Sequence, residues 1–193
     1  RRRFGNLILS RLPVHRVMRH SLPWPPEDGV PSMARVAIEA VVEAPWGPVG
    51  VTTTHLEYYS AKQRAAQVER LRDLESEKTL HARTTPSDAY TSGPFQPLPR
   101  PASSILAGDF NMSPDDPLVA RMLETWVDAW HVAHPDAPHP PTFCLHGKEH
   151  GASPYCCDLV LVSRDLAPRI ASMRADLETQ ASDHQPLIVE FRP

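Results

Sequence analysis

Hydrophobic positions along this chain fall mostly into short runs broken by proline, with a single long stretch of helical spacing. Asn6 to Ser10 is an apolar run that predicts a buried strand, and the proline-broken stretch from Arg11 to Pro31 predicts a loop. From Ala34 to Ala44 apolar and polar residues alternate imperfectly. After Pro45-Trp-Gly-Pro48 comes the β-branched run Val49 to Thr54, so the pair reads as a hairpin. Between Ser60 and Lys78, Ala65, Val68, Leu71 and Leu74 recur on one face, which predicts a surface helix with Ser60 as its N-cap. Further on, Ser104–Ala107 reads as a buried strand, Asp115–Glu124 as a capped helix, and 158–163, 173–177 and 186–191 as strands. Long loops are expected near 12–33, 83–103 and 131–155, the second holding five prolines.

Strands mixed with few helices predict an α+β fold or layered sheets. A length of 193 residues suits a single domain over 1–193, able to bury roughly 70% of its extended-chain surface. With 41% hydrophobic residues the chain is neither disordered nor collagen-like, and 22 prolines against 8 glycines point to stiff loops. A formal charge of −3 excludes a generally basic nucleic-acid binder, leaving only a local basic patch at Arg11, His15, Arg16, Arg19 and His20. No apolar run approaches the ~20 residues of a membrane span, and three cysteines are too few for a disulfide framework. The expectation is a soluble chain, with a cytoplasmic location favoured. The chain opens on Arg1-Arg2-Arg3 without a methionine and runs at once into a strand pattern, so it reads as part of something longer.

Four clusters put ligand-capable residues at the ends of apolar strands, where rigid scaffolds carry working groups: Thr54-His55-Leu56, Gly108-Asp-Phe-Asn111, Cys157-Asp158-Leu159 and Ser182-Asp183-His184. In extended backbone Asp109 and Asn111 share a face while Phe110 turns into packing, and a carboxylate beside an amide can bind a hard cation and orient a water. Each cluster has a bland alternative: an Asx turn at 109–111, a turn at 182–184, a structural histidine at 55. Asp158 at the head of an apolar strand needs a partner, and a histidine is a natural one.

Taken together in this order, the clusters resemble the endonuclease/exonuclease/phosphatase family of metal-dependent phosphoesterases. Gly5-Asn-Leu-Ile-Leu-Ser-Arg11 looks like the family's G-x-x-I-L-S-R strand, and Thr54-His-Leu56 with Arg64 and Gln67 resembles its T-H-L…R-x-x-Q segment. Gly-Asp-x-Asn, the Asp158 strand and Ser-Asp-His-x-Pro186 resemble the last three motifs. The resemblance implies a four-layer α/β/β/α sandwich of two packed mixed β-sheets with outer helices, lacking its first N-terminal elements. It implies hydrolysis of a phosphate ester (nucleic acid, phospholipid head group or sugar phosphate) assisted by Mg²⁺ or Mn²⁺. Asp109 and Asn111 would activate and position the water and help ligate the metal, and Asp183 would help hold the metal. His184 would contact the phosphate with Asp158 behind it, His55 would bind the phosphate or assist the leaving oxygen, and Arg35 would support the site. Which carboxylate is the base is left open.

The family's Asn near the start of the fold and its principal metal-binding Glu precede the strand at 6–10, and neither is present here. These 193 residues are therefore expected to bind metal weakly and to lack turnover alone. Two rival readings follow: a truncated or decayed member acting as a binding module, and a zinc site drawn from Cys144, His146, His150, Cys156 and Cys157 with His134 and His139 nearby. The second matches no closed Cys/His spacing. A Cys-His hydrolase is weaker still, since no cysteine sits in a recognisable nucleophile setting.

Overall fold

The computed structural model describes residues 4–87, 92–147 and 153–193. Its elements are β1 (Val14–Ser21), β2 (Val36–Ala44), β3 (Gly47–His55), α1 (Ala61–Arg83), β4 (Ser104–Asp109), α2 (Pro117–Leu123), β5 (Val127–Asp128), α3 (Ala129–Ala133), β6 (Asp158–Val162), β7 (Ile170–Ala175) and β8 (Leu187–Phe191). Six strands form one sheet in the order β1-β2-β3-β4-β6-β5, and β7 and β8 form a second. The larger sheet is mixed: β3 and β4 run parallel, while the other pairs are antiparallel. The second sheet has two antiparallel strands among the described residues.

A parallel pair needs a long crossover, and α1 supplies it between β3 and β4. Ser60 caps the helix by accepting the Gln63 N–H, as its position before the apolar stripe predicts. Val68 and Leu71 of that stripe join Leu56, Leu106, Phe110, Met122, Leu159 and Leu161 in one core, between the helices and the sheet. The opposite face of the sheet packs on the second: Val49, Val160 and Val162 meet Ile170 and Met173, with Leu187, Val189 and Phe191 alongside. Strand β6 feeds both cores because side chains alternate across a strand, Leu159 and Leu161 one way, Val160 and Val162 the other. The result is the α+β architecture of two packed sheets with helices.

Four local expectations are corrected. Residues 6–10 form no strand: Leu7 and Leu9 are 73% and 86% exposed, because no described strand lies beside them to complete a ladder. Residues 14–21, expected as loop, form edge strand β1; it shows no apolar alternation because neither of its faces enters a core. The irregular stretch expected over 131–155 begins inside α3, and α1 runs five residues past Lys78. Trp126 and Trp130 are buried, and Trp24 is exposed. No described helix is long and apolar enough to cross a membrane.

Gly108 lets β4 lie against β3 at the sheet edge. Its φ is 152°, and a Cβ there would sit 1.9 Å from the Thr54 carbonyl oxygen. Gly108→Ala is expected to destabilise the chain by roughly 2–5 kcal/mol, strain and overpacking together. Urea unfolding measures it; an unchanged midpoint would show that the two strands can separate freely at this point.

Candidate active site

β3 and β4 are parallel and β6 runs against them, so the ends of the first two and the start of the third fall on one edge of the sheet. His55 pairs in register with Asp109, and Asp109 with Asp158. The chain keeps this alignment one step further, where Leu56 N–H donates to Asp109 O and Phe110 N–H to Cys157 O, at 2.9 and 2.8 Å. Phe110 is wholly buried and anchors the turn. Asn111, at φ 52°, donates its backbone N–H to Asp109 Oδ1 and its Nδ2 to Leu56 O, both at 2.8 Å. The Asx-turn alternative is thus physically present, and it leaves Asp109 Oδ2 facing His55 Nε2 at 3.2 Å.

His184 arrives from the loop before β8. Phe143 bridges to it, Gln185 N–H donates to Thr142 O, and Cys144 N–H to Asp183 O. Thr142 Oγ1 in turn accepts the N–H groups of Cys157 and Asp158. These bonds set His184 Nδ1 at 2.8 Å from Asp158 Oδ2 and His184 Nε2 at 3.9 Å from Asp109 Oδ2. The predicted partnership of Asp158 with a histidine is present. Asp183 is exposed and lines the same cleft, its carboxylate accepting from Ser182 Oγ at 3.2 Å.

The charges are unevenly poised. Burial, then the negative charge of Asp158, pushes the Asp109 carboxyl up to about 6, against the Asn111 N–H and His184. Burial, then the positive charges of Arg35 and His184, lowers His55 to about 4. His184 moves upward, chiefly through its hydrogen bond to Asp158 and against desolvation. At neutral pH His55 is therefore a neutral imidazole facing Asp109, while the Asp158 carboxylate favours the charged form of His184. Cys157, with Asp109 and His184, puts ligand atoms within 4.8 Å of one another, but burial drives its thiol far upward and away from the thiolate a metal needs.

Arg35 stands immediately before β2 and is buried, its Nε donating to Glu57 Oε2 at 3.3 Å. It does not line the cleft but lies behind it, its guanidinium 5.9 Å from the ring centroid of Phe4, which does. Burial would raise Glu57, yet the Tyr59 and Met33 N–H groups and the Arg35 charge hold it below the usual carboxylate range. Arg64 and Gln67 of α1 hold this segment: Arg64 Nη1 donates to the carbonyls of Glu57 and Tyr58, and Gln67 Oε1 accepts the Glu57 N–H.

The cleft, about 690 Å³, is lined by Asp109, Asn111, His55, His184 and Asp183 with Phe4, Met33, Tyr58, Tyr59, Phe143 and Tyr155. The aromatic lining has no motif of its own in the sequence, although Tyr58 and Tyr59 follow the Thr-His-Leu motif after a single residue, Glu57. Among the described residues Cys144, His146 and Cys156 join no group of converging ligands, and His150 lies outside them. The expected basic patch is partly neutralised on β1, where His15 faces Glu43 and both Arg16 and His20 face Glu39.

The two histidines should titrate on opposite sides of 6.5. A raised His184 stabilises the fold below the unfolded value, and that contribution is lost as pH rises through its folded pKa. A lowered His55 stabilises it above 6.5, lost as pH falls toward about 4. Proton NMR titration of metal-free protein is expected to resolve both transitions, with Asp158→Asn pulling the upper one down. A single pair of coincident transitions near 6.5 would contradict the geometry.

A sequence profile of the Endonuclease/Exonuclease/phosphatase family matches residues 1–184. Among curated protein sequences none matches significantly. Among solved structures, a 3'-5' exonuclease from Neisseria meningitidis is 23% identical, with TM-score 0.64 over 95% of this chain and 73% of that one. A mannosyl-6-phosphatase from Bacteroides thetaiotaomicron is 15% identical, with TM-score 0.67 over 93% and 66%. The catalytic domain of human Nocturnin with a bound sulfate anion is 18% identical, with TM-score 0.61 over 94% and 59%. The chain thus spans about two thirds of the length of the structures it resembles. With a profile match over nearly its whole length, and strand-end motifs gathered into one cleft, the chain belongs to the endonuclease/exonuclease/phosphatase family.

Proposed function

We propose that this chain carries the hydrolytic site of a divalent-metal-dependent phosphoesterase. The observation that supports the reading most is the in-register row His55, Asp109, Asp158 across three strand ends, completed by the bond from His184 to Asp158. Asp109 is the base: its Oδ2 faces His55 in the cleft, and burial with the charge of Asp158 raises its carboxyl in the metal-free chain. Asn111, fixed by its bond to Leu56 O, orients that water. His184, held in one tautomer by Asp158, donates from Nε2 to a phosphoryl oxygen, and neutral His55 offers an N–H to the phosphate or the leaving oxygen. Arg35 supports the site from behind, its charge shared with Glu57.

The oxygen donors of Asp109, Asn111 and Asp183 suit Mg²⁺ or Mn²⁺, and two acids crowded at Asp109 and Asp158 favour a cation there. When bound, the metal would offset charge developing on the phosphoryl oxygens. Two carboxylates and one amide are few donors for such an ion, which supports weak binding by these residues alone.

The aromatic side chains around the cleft suit a substrate with a planar or ring-shaped group beside its phosphate. The related structures include an exonuclease and a sugar phosphatase. The test is hydrolysis of a nucleic acid, a phospholipid and a sugar phosphate by the full gene product with Mg²⁺ or Mn²⁺. Turnover abolished by EDTA, and cut about 10²–10⁴-fold by Asp109→Asn or His184→Ala, is expected. EDTA-resistant turnover, or full activity in Asp109→Asn, would overturn the mechanism, and tight substrate binding without turnover would favour the binding-module reading.

A further inference from the structure

A second convergence of ligand atoms lies outside the cleft, where β5 meets α3. Asp128 Oδ2 faces His131 Nδ1 at 2.9 Å and His139 Nε2 at 2.8 Å. All three donor atoms lie within 4.8 Å of one another. Asp128 pairs with Leu161 on β6, three residues from Asp158, or about 10 Å along the strand from the cleft row. Nothing in the proposed hydrolysis uses these groups.

We infer that Asp128, His131 and His139 form a site for a borderline transition-metal ion of the Zn²⁺ class. The donor set is two imidazoles and one carboxylate, which suits Zn²⁺ and its neighbours and not Mg²⁺. Donors around a tetrahedral ion with bonds of ~2.0 Å stand roughly 3.3 Å apart, so each histidine needs to withdraw from Oδ2 by only about half an ångström. The carboxylate is already aimed: its other oxygen, Oδ1, accepts the Trp130 N–H at 2.9 Å, the cap bond of α3. That bond plays the part of the outer partners that orient metal ligands. Asp128 and His139 are 4% and 5% exposed while His131 is 52% exposed, so the site is walled on the protein side and open to entry from solvent. Trp130, its ring centroid 5.7 Å from that of His139, supplies an apolar wall.

Binding needs no co-reactant. Each imidazole offers the metal the lone pair of the nitrogen now facing Asp128 and carries its N–H on the other ring nitrogen. The consequence is a clip. His139 precedes by three residues Thr142, whose hydroxyl holds the N–H groups of Cys157 and Asp158, and Phe143 next to it bridges to His184. An ion joining His139 to the start of α3 would therefore anchor the loop that shapes one wall of the cleft.

Zn²⁺ alone is the probe, titrated calorimetrically and followed by thermal unfolding of the whole chain. A His184→Ala background disables the Asp109–Cys157–His184 group, and one Zn²⁺ equivalent with a raised Tm is expected to persist in it. His131→Ala, at a half-exposed position, should fold normally without metal yet lose about 100-fold or more in Zn²⁺ affinity, since even outer partners of a metal are worth about 10–100-fold. His139→Asn should do the same. Absence of Zn²⁺ binding, or loss of binding in His184→Ala with retention in His131→Ala, would overturn the assignment.

Discussion

The close approach of β4 to β3 at Gly108 is the constraint on which the cleft depends. With a Cβ excluded by the Thr54 carbonyl, only glycine allows the parallel ladder to run on to its last pair, His55 with Asp109. Because β6 runs antiparallel to β4, the same pairing brings the first residue of β6, Asp158, beside Asp109. A one-residue slip in either ladder would turn these side chains to the opposite face. Register, set by backbone hydrogen bonds, therefore builds the row of chemical groups.

That row concentrates acid in a poorly solvated place, and its two histidines are shifted in opposite directions. Asp158 favours the charged form of one imidazole, His184. Asp109 keeps a neutral one, His55, whose cation is opposed by burial and by Arg35. Glu57 makes the buried Arg35 tolerable, and is itself held by four N–H donors: those of Met33, Tyr58 and Tyr59 and the Arg35 Nε. The ion pair thus acts on the cleft through its field and through the loop it ties down.

Much of this was legible in the sequence, for identifiable reasons. The strands β2, β3, β4 and β6 announce themselves because at least one face of each is buried, and Ser60 because a helix start needs a cap. The site residues are legible because strand ends put them there and each carries a side chain with few other uses at such a position. Strand β1 was not, since an edge strand with two wet faces needs no apolar alternation. The aromatic lining was not, because a tyrosine in a cleft and a tyrosine on a surface have the same sequence signature.

The Asp128 group was hidden for a related reason. Sequence directs attention to cysteines and histidines close together, and so to 144–157, where the described cysteines and histidines do not converge on one another. What converges instead is a helix cap with a histidine one turn along and another brought back by the following loop. Asp128 and His131 are three apart, the helical spacing that stacks side chains on one face, so half of the group is local and readable. His139 is supplied by the proline-bounded path through Pro135, Pro138 and Pro140, whose geometry no periodicity encodes. The same stiffness gives that loop its value: a chain with few free dihedrals loses little entropy when its ends are fixed, so three side chains suffice to hold it against α3.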